Sequence, residues 1–310
     1  MVIAFLCISL LTYVLMKMAP GSFLSVNFQI GGVNAVAGTY DVSPQIMAQM
    51  VNYYHLNQPW YVQWWFYVQG FVTWHMGTSF EFPGTPTTSI IENAFPFSIK
   101  LALISVVTAL AIAIPIAQLA AIRENGLTDT GLMFLAMLGT SLPAYVVAVV
   151  LIIVFALWLR ILPVIGYTQW QNYILPVLSL ALPMVGSLSR YLRNSLIDSL
   201  HSEYVMGVIA KGGSMRDVLW GHALRNSLLP LITVVGPQLA LLMTGTVFIE
   251  EIFDLPGLGH YFVNAANLRD YPLIMDATLL YAGVILLMNL MVDMTYGVLD
   301  PRIRRSYDMG

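Results

Sequence analysis

Six long apolar runs govern what this chain can fold into. They lie at roughly 2–18, 97–121, 131–159, 173–192, 231–250 and 273–298. Each meets or approaches the ~20 residues that a helix needs to cross a hydrocarbon core about 30 Å thick. Only 9% of the 310 residues are charged and 58% are apolar, whereas soluble domains carry about 25% charged residues. A surface so poor in charge has lipid as its main solvent. The sequence therefore predicts an all-α membrane protein with about six transmembrane helices. The third run is too long for one straight perpendicular span, since its 29 residues reach about 43 Å as a helix. Gly139-Thr140-Ser141-Leu142-Pro143 lies inside it, so a kink or loose turn is expected near Pro143.

The basic residues orient the runs. With both termini in the cytoplasm, the inside segments hold Arg123, Arg190, Arg193, Lys211, Arg216, Arg225, Arg302, Arg304 and Arg305, nine of the thirteen Lys and Arg. Lys17, Lys100, Arg160 and Arg269 fall outside, mostly at helix ends where long side chains snorkel. Residues 19–96 hold no Lys or Arg although they form the longest connection, so the positive-inside rule places them outside. The net charge of −3 carries no information on partners. The chain opens Met1-Val2-Ile3-Ala4 without the basic lead of a signal peptide. A signal-anchor helix is the expectation, with a mis-assigned start codon as one explanation of its short lead. Cys7 is the single cysteine, which excludes an intramolecular disulfide.

The external segment 19–96 is too long for a plain loop and holds four of the seven tryptophans, Trp60, Trp64, Trp65 and Trp74. The uncharged stretch from Trp60 to Met76 contains Gln63, Gln69, Gly70 and His75, and a seventh span there would put the basic loops on the wrong side. An amphipathic helix at the outer interface is expected, with some of its aromatics packed on the spanning helices.

Ionisable groups in the runs are few: Asp276 and Asp293 in the last, and Glu250 and Glu251 at the outer end of the fifth. Ion-coupled carriers use buried carboxylates or histidines as relays, so this chain offers little for that chemistry. Asp276 and Asp293 read as helix-end or interhelical hydrogen-bonding groups. Metalloprotease, hydrolase and P-loop motifs are absent from the sequence, and His55, His75, His201, His222 and His260 stand singly. No catalytic residue, metal ligand or cofactor-binding residue is assigned, and nucleic acid is not an expected partner.

The connection at roughly 194–229 carries the most pattern. It runs from Ser202-Glu203-Tyr204 through Val208-Ile209-Ala210-Lys211-Gly212-Gly213-Ser214 and Asp217 to His222, Arg225, Asn226 and Pro230. Two short helices are expected, Gly212-Gly213 ending the first and Ser214 with Asp217 capping the second. Residues alone leave two readings open, a docking element and an ordinary amphipathic loop on the inner leaflet.

The pattern Glu203-Tyr204…Ala210-Lys211-Gly212…His222…Asn226…Pro230 resembles the coupling-loop motif of bacterial peptide ABC transporter permeases. So do Ala19-Pro20-Gly21, then Tyr54, Leu56 and Gln58-Pro59, then Gly77-x-Ser79, Ser141-x-Pro143, Leu162-Pro163-x-x-Gly166, and Arg190 with Arg193. Glu250-x-x-Phe253-x-x-Pro256-Gly257-Leu258-Gly259, Arg269-Asp270-Tyr271 and Val292-Asp293-x-x-Tyr296-x-x-x-Asp300-Pro301-Arg302 complete it. The chain departs from the family at Val208 and Ile209, where Ala and a basic residue are usual. The resemblance is to the B-type permease of oligopeptide and dipeptide systems, in the bacterial cytoplasmic (inner) membrane.

That resemblance implies the type I ABC importer permease fold and four kinds of partner besides membrane lipid. They are a homologous second permease, two ATP-binding subunits, and an extracellular or periplasmic peptide-binding protein. ATP and Mg would belong to the partner subunits, with no cofactor in this chain. Glu203 and the turn Ala210-Lys211-Gly212 would enter a cleft of the ATPase, Gly212 making the turn and Ala210 the close approach, with Tyr204, His222 and Asn226 completing the loop. A nickel or other small-solute permease of the same family, and a stand-alone channel or secondary carrier, are the alternatives.

Overall fold

A computed structural model describes residues 1–19, 57–82, 84–210, 212, 214 and 218–299. Several expectations therefore lie outside the described residues: those on Pro20, Gly21, Tyr54 and Leu56, on Lys211, Gly213, Arg216 and Asp217, and on residues 300–310. The helices are α1 (Val2–Met18), α2 (Trp60–Val72), α3 (Thr87–Ile122), α4 (Leu127–Ser141), α5 (Ala144–Leu151), α6 (Ile174–Leu200), α7 (Glu203–Ala210), α8 (Leu224–Ile252), α9 (Leu258–Leu268) and α10 (Tyr271–Leu299). Among the described residues there is no strand, only an isolated bridge between Thr78 and Pro86. The chain forms two compact units, Met1–Ser98 with Pro256–Leu286, and Ile99–Leu255 with Leu287–Gly310.

Three helical stretches, Thr87–Ile122, Trp170–Leu200 and Tyr271–Met294, are long and apolar enough to cross a membrane. A fourth span is present if α4 and the helix over Ala144–Trp158, bent by 104° at their junction, count as one. The break expected near Pro143 is thus a sharp elbow. Pro143 sits at the N-cap of α5, where its missing N–H costs no helix bond, and α5 continues as a π-helical segment, Ile152–Trp158. Helices also outrun the apolar runs. The one read at 97–121 starts at Thr87, and the one read at 173–192 continues to Leu200. Hydropathy marks the thickness of lipid, while backbone hydrogen bonding carries the helix beyond it.

In the first unit, α1 and α2 pack along one another. Tyr13 Oη donates to Gln63 Oε1 at 2.9 Å and Trp64 Nε1 donates to Ser9 Oγ at 3.0 Å. Tyr13, Met16 and Tyr67 share a core with Met275 and Leu279 of α10, flanked by Phe5, Trp64 and Phe71. The helix expected over 60–76 thus forms, ending at Val72. Trp60 and Trp65 stay exposed, while Gln63, Tyr67 and Val68 are buried against the unit. Asp276 is buried and accepts a hydrogen bond from Thr87 of α3 at 2.6 Å, the interhelical role expected of it.

In the second unit α6 is central, packed on α4, α5 and α8. Glycines set the closest approach. A Cβ on Gly186 would lie 2.0 Å from the Ala136 carbonyl, and one on Gly139 would lie 2.9 Å from that of Leu182. Backbone thus meets backbone where α4 crosses α6, which small residues permit in membrane helices. The motif ending in Gly166 has a local cause. Its φ of +114° is closed to side chains, and Asn172 Nδ2 sits 2.8 Å from where a Cβ would be. That amide donates to the Ile165 carbonyl at 2.8 Å.

Candidate functional site

The described residues of the segment singled out in the sequence belong to the second unit. Glu203 opens α7, its acidic side chain in the first turn complementing the helix dipole, and it is exposed. Tyr204 follows it and Ala210 ends the helix. Gly212 is exposed with φ +86°, and a Cβ there would meet nothing within 4 Å. The glycine is therefore needed for its backbone conformation and not for want of space. His222 lies in a π-helical segment, Val218–Ala223, and Asn226 in the first turn of α8.

The second short helix expected here has a different form. The π-helical segment runs directly into α8, because Ala223 keeps right-handed helical dihedrals of −66° and −48°. The segment leaving the loop is thus the start of a long helix. α7 packs on the π-helical segment and on the end of α6, with Val205, Val218, Leu219 and Ala223 buried. The opposite side presents Glu203, Gly207, Gly212, Ser214 and Gly221 to the exterior. Gly207 and Gly221 also have open space where a Cβ would stand.

Sequence reading missed two features of this region. One is Trp220, 58% exposed on the π-helical segment; large aromatics are among the residue types that dominate protein interfaces. The other is an ion pair that fixes the base of the turn. Arg193 of α6 grips Asp129 of α4 through two hydrogen bonds, Nε to Oδ1 at 2.9 Å and Nη2 to Oδ2. The Asn125 N–H gives Asp129 a further one at 3.0 Å. His201 lies 3.6 Å from Glu124 beside it.

Two motifs quoted separately meet in the first unit. Asp270 is fully buried and accepts from Ser79 Oγ, from the Glu81 N–H at 3.2 Å and from the Leu273 N–H at 3.2 Å. It caps α10 and clasps the turn that begins with Gly77-x-Ser79, whose Gly77 carbonyl accepts from the Thr87 N–H at 2.9 Å. Arg269, just before it, takes a left-handed conformation with φ +60°. Ser98 Oγ accepts from the Leu258 N–H at 2.9 Å, capping α9 after Pro256-Gly257. Among the described residues no group of three or more His, Cys, Asp or Glu is placed to hold a metal.

Comparison with known proteins places this architecture. Residues 113–305 match the family described as binding-protein-dependent transport system inner membrane component. The dipeptide transport system permease protein DppB of Bacillus subtilis (strain 168) is 37% identical, over 96% of this chain and 93% of that protein. The oligopeptide transport system permease protein OppB of Haemophilus influenzae is 37% identical, over 94% of this chain and 97% of its own length. OppB of Escherichia coli (strain K12) is 34% identical, over 95% and 93%. Among solved structures, an inward-facing MetNI methionine ABC transporter chain aligns with TM-score 0.55 at 14% identity, covering 68% of this chain and 96% of that one. An amino acid ABC transporter chain aligns with TM-score 0.51 at 9% identity, covering 67% and 92%. The likeness in fold and the full-length relatives agree, and the chain belongs to the family of binding-protein-dependent transport system inner membrane components.

Proposed function

We propose that this chain is a permease subunit of an ATP-driven, binding-protein-dependent peptide importer and forms half of its translocation pathway. The observation that carries the reading is alignment over nearly the whole of both chains with dipeptide and oligopeptide permeases. On this reading the four candidate spans are joined by α1 and α8 to give six, with both termini in the cytoplasm of a bacterial cell. Residues 19–96 lie outside, and 194–229 form the cytoplasmic coupling loop. A homologous second permease pairs with the chain, each of the two docks one ATP-binding subunit, and a binding protein delivers peptide to the outer face. ATP and Mg act in the ATPase subunits.

Coupling falls to Glu203, Tyr204, Ala210, Lys211, Gly212, His222 and Asn226. The exposed face of α7, the positive φ of Gly212 and the uncovered Trp220 support a docking role. Closure of the ATPase pair would push this turn and rock the helices attached to it.

The test is reconstitution of the chain with its second permease, ATPases and binding protein. Peptide uptake and peptide-stimulated ATP hydrolysis should require every subunit. Gly212→Trp should abolish both while leaving insertion and permease pairing intact. Peptide uptake by the chain alone in liposomes would refute the reading and favour a stand-alone carrier. In a Cys7→Ala background, cysteines at Thr85 and Ser214 should react with an impermeant thiol reagent from opposite faces. Labelling of both from one face would refute the topology.

A further inference from the structure

Two polar side chains of the second unit sit where a helix bundle in lipid accommodates them least. Ser187 is the central residue of α6 and Gln238 the central residue of α8. Gln238 Nε2 donates to Ser187 Oγ at 2.9 Å, and the Ser187 hydroxyl donates to the Met184 carbonyl at 3.0 Å. Gln238 Oε1 is buried and has no hydrogen-bond partner among the described residues. Turning the amide over does not help, because the Ser187 proton is already committed. One half of the carboxamide is left for another group in either orientation.

The pair borders a groove of about 210 Å³ walled by Ala144 of α5, Pro183 and Met184 of α6, and Leu241 and Gly245 of α8. A Cβ on Gly245 would meet nothing within 4 Å, so the groove stays open past it. Proline stands near both polar residues: Pro183 one turn before Ser187, and Pro237 next to Gln238. Neither can donate to the carbonyl four residues before it, so both helices interrupt their backbone bonding beside the groove. Polar groups and broken helix bonds at mid-span are tolerated where they line a path and not where they face lipid. By contrast, the larger cavity of about 380 Å³ at the elbow is lined by apolar residues and glycine alone, such as Ile112, Leu135, Gly139 and Leu182. It offers no side-chain hydrogen bond.

We infer that Gln238, held ready by Ser187, is a hydrogen-bonding station for the peptide main chain on the translocation path. The inference rests on the importer reading given above. A primary carboxamide carries a donor and an acceptor side by side, matched to the C=O and N–H of a peptide group. Rotation of the Gln238 side chain exchanges Ser187 for the passing peptide. The apolar walls accept side chains without reading them, which suits transport of peptides of varied sequence. Among the described residues that line the groove, none carries a carboxylate, imidazole or thiol.

The test compares uptake of a peptide with that of the same peptide N-methylated at its internal amides, in the complete reconstituted complex. The binding protein is common to all measurements, so the ratio of the two uptakes, compared between permease variants, isolates the contribution of this chain. Gln238→Met, of similar length but without hydrogen-bonding groups, should lower that ratio about threefold to tenfold. Ser187→Ala should lower it less. Because a ratio does not depend on how much complex assembles, poorly expressed variants still report. An unchanged ratio in Gln238→Met, with only reduced thermal stability, would make the pair plain interhelical packing and overturn the inference alone. A wild-type complex that takes up no peptide would overturn the importer reading and this inference with it.

Discussion

The Asp129–Arg193 pair offers the sharpest energetic test of the second unit. Its side chains are 5% and 20% exposed, and two hydrogen bonds join them in the forked geometry that suits guanidinium and carboxylate. Exposed ion pairs contribute about 0–1 kcal/mol. Removing one partner of a buried pair costs about 3–5 kcal/mol, because the other charge stays desolvated. In Arg193→Met, Asp129 keeps only the Asn125 N–H. Water reaches the Arg193 side of the pair, so the lower end, about 3 kcal/mol, is expected.

Asp129→Leu should cost a similar amount, since it strips Arg193 of both bonds and removes an acid from the first turn of α4, itself worth about 0.3–1 kcal/mol. The double variant leaves no orphaned charge and should lie within about 1 kcal/mol of wild type. The cycle therefore predicts a coupling of several kcal/mol. Equilibrium unfolding in mixed micelles, followed by helical circular dichroism, measures all four species. Single variants within 1 kcal/mol of wild type with an additive double would show that the pair is solvated and would refute the reasoning.

Three further outcomes are expected. Burial and the neighbouring Asp270 hold the Glu81 carboxyl above its ordinary 4.5, with His260 offsetting part of the shift. The ionised form is the disfavoured one, so its penalty is absent below pH 4.5, grows as pH rises from there to the raised value, and is constant above it. Glu81→Gln should stabilise the chain at about pH 8 and leave it unchanged near pH 4, while equal effects at both would sink the assignment. Trp220→Ala should weaken ATPase docking about tenfold or more in a pull-down titration without altering thermal stability, because its side chain is exposed. Gly186→Leu should prevent folding of the second unit, seen as loss of detergent-soluble protein, since its Cβ alone would overlap the Ala136 carbonyl.

Local signals are legible in the sequence, and pairings between distant residues are not. Pro143 inside a run too long for one span announces a break. The 104° bend depends on how α4 and α6 meet at Gly139 and Gly186, which no local pattern encodes. Gly212 is legible as a helix-ending glycine, and its positive φ agrees. Ser79 and Asp270 stood in two motifs 191 residues apart, and only the fold shows that one caps a helix and clasps the other. Arg193 reads in the sequence as an orienting charge and, with Arg190, as part of the family pattern, and neither reading points to its buried partner Asp129. Trp220 was passed over because one tryptophan in a mixed segment carries no periodicity. Gln238 and Ser187 were hidden for the opposite reason, as single polar residues in apolar runs have no spacing to notice.

The order of elements in the second unit links the loop to the groove. α6 carries Ser187 at its centre and Arg193 further on, and leads into α7 with only His201 and Ser202 between. The π-helical segment after the Gly212 turn runs unbroken into α8, which carries Gln238 at its centre. Both polar residues thus ride on the two helices that enter and leave the turn. Ser199 and Ser227, whose hydroxyls lie 3.4 Å apart, connect those helices near their loop ends. On the proposed reading, a push on α7 moves two continuous helices together from the loop toward mid-span. A rigid helix transmits that displacement up to the first place where its hydrogen bonding is broken. In α6 that place is Pro183, which lines the groove; in α8 Pro230 comes first, and Pro237, next to Gln238, follows two turns on. Motion carried along α6 would be spent where Gln238 holds Ser187, and the bond it strains is the one a passing peptide would replace.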